Sequence, residues 1–214
     1  MHERELSPLD RLLSGLGNAL TTVTKPAVRA TRANPAADLP EAPLSDAERS
    51  HSAGLMRVNH AGEVAAQGLY QGHAVVSSDP GIAEQMRAAA NEELDHLGWC
   101  EQRLDELGSR PSIFSPVWFA GAFAIGAASG VLGDRWSLGF VEETEHQVSD
   151  HLTGHMKKLP VEDSRSRAIV SKMRDEEIEH GANAKAAGAS ELPGPVKDLM
   201  RMTAKLMTRT AYWM

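Results

Sequence analysis

NEELDHLGWC at residues 91–100 and RDEEIEHGAN at residues 174–183 share one pattern, in which a glutamate stands three residues before a histidine. On a helix this spacing brings both side chains to the same face, one turn apart. A helix with such a face can supply two ligands to one metal cluster. Two such helices could therefore serve two metal ions.

The pattern alone is weak evidence, because 18 glutamates and 9 histidines in 214 residues give about 0.7 matches by chance. A pair indicates a site only where it faces a hydrophobic core. The chain contains four pairs, which are Glu48/His51, Glu93/His96, Glu143/His146 and Glu177/His180.

The composition is that of an ordinary soluble and mainly helical chain. Apolar residues make up 42% of the sequence, charged residues 24% and aromatic residues only 5%, which favours helices over strands. The net charge of -7 argues against nucleic acid as the main partner. The single cysteine, Cys100, excludes an intrachain disulfide framework and a cysteine-held iron–sulfur cluster. No secretory hydrophobic region follows the N-terminus, so we expect no signal peptide.

Turn residues and hydrophobic periodicity divide the chain into three parts. Residues 1–44 combine an amphipathic segment with a proline-rich linker, residues 45–190 form a helical bundle, and residues 191–214 form a basic amphipathic helix. The sequence SDAE at residues 45–48 predicts a capping box at the start of the bundle. We predict helices over residues 45–75, 81–107, 134–159, 162–187 and 196–213.

Between the second and third of these helices, residues 112–133 read SIFSPVWFAGAFAIGAASGVLG, without a charged residue. By length alone this stretch could span a bilayer. Pro116 and several glycines interrupt it, and a single span would split the bundle. We therefore favour a buried crossover segment. A segment that dips into a membrane surface without crossing it is the remaining alternative.

Two of the four pairs face the core. Glu93 and His96, like Glu177 and His180, lie in the middle of apolar stripes. An inward carboxylate is costly unless a cation or hydrogen bonds compensate it. On the first long helix, Glu63 continues the inward face.

The third long helix offers three glutamates. Glu145 fills the gap in the apolar stripe between Val141 and Val148, whereas Glu142 and Glu143 lie to the sides. We therefore predict Glu145 as the inward carboxylate, with Glu142 as the alternative.

Four carboxylates and two imidazoles form the carboxylate-bridged di-iron site of a ferritin-like bundle, and this mixture of donors suits iron. A buried salt-bridge network without metal is the alternative. We predict an all-α fold, a ferritin-like four-helix bundle with a long apolar crossover and additional terminal amphipathic helices. The predicted ligands of two iron ions are Glu63, Glu93, His96, Glu145, Glu177 and His180.

Four longer stretches, GLMRVNHAGEVAAQGLYQG, EELDHLGWCEQRLDELGSRPS, GDRWSLGFVEETEHQVSDHL and MRDEEIEHGANA, carry a resemblance to a known family. Over residues 45–214 the chain resembles the bacterial members of the demethoxyubiquinone hydroxylase family of ubiquinone biosynthesis. The resemblance implies the same six iron ligands. It also matches His151 to a histidine that lies near the cluster in the family, next to the ligands or in electron delivery. The alternative for His151 is a surface histidine.

The resemblance implies a monooxygenase that hydroxylates the ring of a polyprenylated demethoxyubiquinol with O2 and two electrons, while the metal supplies the oxygen chemistry. The sequence contains no nucleotide-binding glycine fingerprint. The electrons would therefore come from an outside donor or from the reduced substrate. The implied partners are the quinol, O2, a membrane surface and other proteins of ubiquinone biosynthesis, but not nucleic acid.

The last predicted helix is compatible with a substrate that resides in a bilayer. Lys197, Arg201, Lys205 and Arg209 recur every four residues among apolar residues, and a Tyr-Trp pair stands near the end. This pattern is typical of a membrane-surface helix, and an ordinary helix packed on the bundle fits it equally well. We expect peripheral attachment at the cytoplasmic face of the inner membrane.

Other functions share the predicted ligands. A ferritin-like iron-oxidising protein stores iron in a hollow shell, which an apolar crossover and a basic tail fit poorly. A rubrerythrin-like peroxidase carries an additional cysteine-held iron, and a tRNA hydroxylase requires a basic face. A metal-free helical scaffold for quinone-synthesis partners would leave four inward glutamates without compensation.

Overall fold

The computed structural model describes residues 31–214, which form six helices and contain no strand. The prediction of an all-α chain is confirmed. The amphipathic segment predicted at the start of the chain lies outside the described residues, apart from its last positions. In chain order the helices are α1 (Asp46–Val76), α2 (Pro80–Glu106), α3 (Ser115–Val131), α4 (Asp134–Met156), α5 (Ser164–Ala186) and α6 (Gly194–Trp213).

Local sequence signals set the helix ends. Ser45 and Glu48 form the predicted capping box, because each side chain accepts a hydrogen bond from the backbone N–H of the other residue. Asp79 caps α2, and Pro80 occupies the first turn, where no N–H is needed. Gly133 takes a φ of 116° between α3 and α4, a conformation that favours glycine.

Four helices, α1, α2, α4 and α5, form the bundle. α1 packs along α2 and α4 packs along α5, so each half of the chain contributes one helix pair. Two clusters of buried apolar side chains fill the space between them. The first includes Met56, Trp99, Leu104, Leu152 and Met173, and the second includes Tyr70, Met86, Leu138, Val141 and Ala184.

α3 crosses the outer face of α1 at very short range. A Cβ atom on Gly72 would clash with the carbonyl oxygen of Phe123, and one on Gly126 would clash with the carbonyl oxygen of Leu69. Only glycine allows this approach. The segment crosses between the two halves of the bundle, but the prediction that it is buried holds only for the face of α3 that lies against α1, because most of its residues are partly or fully exposed. Among the described residues, no helix is both long and apolar enough to cross a membrane.

α6 packs on α1 through its C-terminal half. Ala211 lies against Val58 and Ala61 of α1, where Trp118 of α3 and Met207 of α6 also pack. The two outer helices α3 and α6 therefore share one face of α1.

The basic ridge predicted on α6 is only partly available to a partner, because some of its cations pair with the bundle. Lys197 Nζ lies 3.2 Å from Glu143 Oε2, and Arg201 Nη1 lies 3.6 Å from Glu143 Oε1. Two of the four cations thus pair with a buried carboxylate of α4. Lys205 and Arg209 remain exposed.

Residues 31–44 fasten onto the bundle at α2. The almost fully buried Arg103 of α2 bonds Glu41, with 2.6 Å between Nη1 and Oε2. It also bonds Asp163, which caps α5, with 2.9 Å between Nη2 and Oδ1. The segment before the bundle is therefore tied to the end where α2 and α5 meet.

Candidate metal centre

The structure places all six predicted ligands in the interior. Along the chain, each of them lies between residues of the first and of the second apolar cluster. Five are at most 2% exposed, and the sixth side chain, that of His180, is 9% exposed. Ligand atoms from one group of four lie within 4.8 Å of one another, and these residues are Glu63, Glu93, His96 and Glu177. 

The glutamates of the two repeated pairs lie between the two imidazoles. Glu93 Oε2 is 2.8 Å from His96 Nδ1, and its Oε1 is 2.9 Å from His180 Nδ1. Glu177 Oε1 is 3.1 Å from His96 Nδ1, and its Oε2 is 3.4 Å from His180 Nδ1. Each of these carboxylates therefore presents one oxygen to each histidine, the arrangement that a ligand bridging two ions requires.

The remaining two carboxylates have different neighbours in the cluster. Glu63 Oε2 is 3.6 Å from His96 Nδ1. Glu145 accepts a hydrogen bond from the hydroxyl of Tyr70 and interacts with Glu177. The site thus consists of two glutamates between the imidazoles, with Glu63 beside His96 and Glu145 beside Tyr70 and Glu177.

Burial and mutual charge decide the protonation of these groups. Burial, and then the charges of Glu93 and Glu177, raise the pKa of Glu63 and of Glu145 well above the ordinary value. Burial also opposes ionisation of Glu93 and Glu177, but the imidazoles of His96 and His180 outweigh it and lower the pKa of both carboxyls. Without a metal, the cluster therefore compensates its central carboxylates with two imidazolium groups.

The sequence places this cluster in a known family. The profile of the family described as "Ubiquinone biosynthesis protein COQ7" matches residues 50–211, about three quarters of the chain. The chain belongs to the COQ7 family. Curated relatives agree along nearly the whole length. Those from Chromobacterium violaceum and Ralstonia pickettii are 52% and 54% identical over 95% of this chain, and cover 98% and 99% of their own lengths. A relative from Dechloromonas aromatica is 53% identical over 97% of this chain and 99% of its own. All three are named "3-demethoxyubiquinol 3-hydroxylase".

The buried donors of this COQ7 chain fit a bound metal. Both carboxylate oxygens of Glu177, Oε1 of Glu93 and Nδ1 of His180 lack a hydrogen bond of acceptable geometry among the described residues, although all are buried. Unpartnered buried lone pairs are costly, and a cation would use them. The donors are carboxylate oxygens and imidazole nitrogens without a thiolate, which suits iron or a similar transition metal.

Two residues that the sequence reasoning missed support the imidazoles in a crossed arrangement. His96 Nε2 on α2 donates to Glu176 Oε2 on α5 at 2.6 Å, and His180 Nε2 on α5 donates to Glu92 Oε2 on α2 at 2.8 Å. With Nε2 so engaged, Nδ1 of each ring faces the centre. The signal was present but not selective, since a further glutamate precedes both pairs but also precedes the Glu143/His146 pair, which lies away from the site.

The other two Glu-x-x-His pairs lie away from the site. Glu48 belongs to the capping box, and His51 Nδ1 lies 2.7 Å from the hydroxyl of Tyr212. Glu143 faces α6, and the side chain of His146 is 68% exposed. All four pairs share the same spacing, and burial of both members distinguishes Glu93/His96 and Glu177/His180 from the other two.

Two further alternatives from the sequence analysis concern Glu142 and His151. Glu142, the alternative to Glu145, is partly exposed and lies 3.3 Å from Lys185 Nζ. His151 is partly buried, its ring centroid lies 3.9 Å from that of His155, and burial lowers the pKa of His151 to about 4. Its role near the cluster stays a prediction, as does the role of the six residues as ligands.

Proposed function

We propose that the protein is a di-iron monooxygenase that hydroxylates the ring of a polyprenylated demethoxyubiquinol in ubiquinone biosynthesis. One observation carries the proposal: four buried carboxylates and two imidazoles converge in a chain of the COQ7 family. The reaction takes one O2, two electrons and two protons. One oxygen atom replaces a ring hydrogen as a hydroxyl group, and the other leaves as water.

The charge and number of donors support two divalent ions per chain. Four ionised carboxylates carry four negative charges, which two divalent cations compensate, while neutral imidazoles add none. Glu93 and Glu177 would be shared by the two ions, because each presents one oxygen towards each histidine. Glu63 would add a carboxylate beside His96, and Glu145 would add one beside Glu177.

When bound, iron supplies the reductive activation of O2. The protein's own residues provide order and exclude water. Glu92 and Glu176 fix the imidazole rings through Nε2, and the Tyr70 hydroxyl orients Glu145. The apolar side chains on both sides of the cluster exclude bulk water from the donors.

Iron content and hydroxylation, measured side by side, test this function. We expect close to two irons per chain after anaerobic loading with Fe(II), coupled ferric ions in Mössbauer spectra after exposure to O2, and hydroxylation of a demethoxyubiquinol with a short isoprenoid tail. Glu177→Ala should lose both ions and the activity, because it removes a bridging ligand. Exposed Glu84→Ala on α2 is the control. Wild-type protein without iron, or iron unaffected by Glu177→Ala, would contradict the proposal.

We further propose that the protein attaches peripherally to the cytoplasmic face of the inner membrane through α3 and α6. These helices share one face of α1 and expose large apolar side chains. Lys205 and Arg209 are exposed on α6, where they can meet anionic headgroups. The exposed apolar residues are Ile113, Val117, Ile125, Val131 and Leu132 on or beside α3, and Leu199, Met202, Leu206, Trp213 and Met214 on or beside α6.

Flotation with vesicles of phosphatidylethanolamine and phosphatidylglycerol tests the attachment. Replacing both Leu199 and Leu206 by glutamate should weaken binding by at least about tenfold, since each leucine contributes roughly 2 kcal/mol on burial in the lipid. Ile178→Glu on α5 is a matched control, because Ile178 and Leu206 are both 57% exposed. Equal loss of binding in the control would place the contact elsewhere.

A further inference from the structure

The chain segment just before the bundle lies across the junction of α2 and α5. The Asp95 carboxylate of α2, which is 3% exposed, accepts from the backbone N–H of Thr31 at 2.6 Å and from that of Arg32 at 3.2 Å. It also pairs with Arg32 Nε at 2.5 Å. Backbone and side-chain bonds together fix the position of Arg32.

From this position the Arg32 guanidinium reaches both helices. Its Nη1 lies 2.6 Å from Glu176 Oε1 on α5, and its Nη2 donates to the carbonyl oxygen of Glu92 on α2 at 3.4 Å. The guanidinium carbon lies 5.0 Å from the ring centroid of Trp99, whose own ring packs against His96. A planar group with several donors suits such a bridge.

Glu176 connects Arg32 to the metal centre. One oxygen of this carboxylate pairs with Arg32 and the other accepts from His96 Nε2 at 2.6 Å. Without Arg32, the Glu176 carboxylate would be free to turn towards solvent or towards Lys172 on the same helix, whose Nζ lies 2.8 Å from Glu176 Oε1. His96 would then lose the partner that holds its ring and directs Nδ1 to the centre.

We propose that Arg32 is a positioning residue that fixes His96 through Glu176 and so makes the metal position beside His96 the tighter of the two. The inference rests on the proposed di-iron centre and deepens it. The supporting geometry is one-sided. His180 relies on Glu92, whose side chain is 56% exposed and pairs with no lysine or arginine among residues 31–214.

Release of iron to a chelator tests the role of Arg32 without measuring turnover. Protein loaded anaerobically with Fe(II) is mixed with ferrozine, and the two ions are followed as separate phases. Arg32→Met should accelerate release of one ion by about tenfold and change one of the two ferrous Mössbauer doublets. Arg87→Met is the matched control, because Arg87 pairs with Glu84 on the exposed side of α2.

Two further variants separate positioning from general stability. Arg32→Lys retains the charge and the aliphatic stem, yet an ammonium cannot hold Asp95 and Glu176 as a fork, so it should also accelerate release. In a Glu176→Gln background, Arg32→Met should have little additional effect, because the connection to His96 is already broken. Equal acceleration of both ions, or an undiminished effect in that background, would overturn the inference.

The outcomes also distinguish the two proposals. If wild-type protein binds no iron, the proposed function fails. If it binds two irons and Arg32→Met behaves like Arg87→Met, only the role of Arg32 fails.

Discussion

The two halves of the candidate metal centre repeat one motif, but the residues that support the two copies differ. On the α2 side, His96 is fully buried and its partner Glu176 is 13% exposed, paired with Arg32 and Lys172. On the α5 side, the side chain of His180 is 9% exposed and its partner Glu92 is 56% exposed. The ligands are therefore nearly symmetric, whereas the groups behind them are not.

This difference shows that a repeated motif fixes which side chains converge but not what surrounds them. A charge pair at the surface is screened by water and contributes little, whereas a pair covered by protein holds its geometry. The cover on the α2 side comes from the chain before the bundle, which has no counterpart on the α5 side among the described residues. We expect the two ions to bind with unequal affinity for this reason.

We expect the largest difference between the two halves when a carboxylate ligand is removed from only one of them. Glu145→Gln should reduce iron content from two ions to about one and lower hydroxylation by at least about 100-fold, because a neutral amide is a poor iron ligand. Glu142→Gln is the matched control, since Glu142 is partly exposed and pairs with Lys185. Metal analysis and turnover of both variants provide the measurement. Loss of iron in Glu142→Gln alone would transfer the ligand role to that residue.

A smaller effect should distinguish Glu176 from Glu92, the two glutamates that accept hydrogen bonds from the imidazole rings. Glu176→Gln should weaken one ion by about 10- to 100-fold, the range typical of groups that orient a ligand. Glu92→Gln should weaken the other ion by no more than a few-fold, since Glu92 is mostly solvated. Competitive titration of Fe(II) against a chelator measures both. Equal losses would show that the crossed pairs are equivalent despite their different exposure.

A third buried histidine shows how burial changes the pKa of an imidazole that has no carboxylate partner among the described residues. His60 on α1 is 2% exposed, and neither ring nitrogen has a hydrogen-bond partner among the described residues. Burial lowers the pKa of His60 from 6.5 to about 4. Below pH 6.5 the unfolded state therefore binds a proton that the folded state rejects, and the free energy of unfolding falls as the pH falls.

His60→Leu should remove this dependence. Relative to wild type, the metal-free variant should lose about 1 to 2 kcal/mol less free energy of unfolding between pH 7 and pH 5. Urea unfolding at the two pH values measures the difference. His146→Leu replaces a side chain that is 68% exposed and should keep the wild-type slope. An unchanged slope in His60→Leu would mean that His60 finds a partner in solution.

Sequence reasoning anticipated what depends on periodicity within one helix. Turn residues and apolar stripes gave the bounds of five helices to within three residues, although no helix was predicted for α3, and the stripe of α4 identified Glu145, rather than Glu142, as the glutamate that faces the bundle interior. It missed what depends on how helices face each other. The crossed bonds of Glu92 and Glu176 depend on the orientation of α2 relative to α5. The pairing of Glu143 with α6 depends on how α6 docks on the bundle, whereas the sequence pattern predicted that the cations of α6 form a basic ridge.

The close crossing of α1 and α3 limits how this protein can vary and be re-engineered. Carbonyl oxygens of each helix occupy the space that a methyl group at Gly72 or Gly126 would need. The two helices must therefore change in concert, and a chimera that takes residues 112–133 from a relative must take the matching face of α1 with them. Because α3 also exposes Val117, Ile125 and Val131, variation of this apolar face is tied to the smallest residues of the helix that carries Glu63.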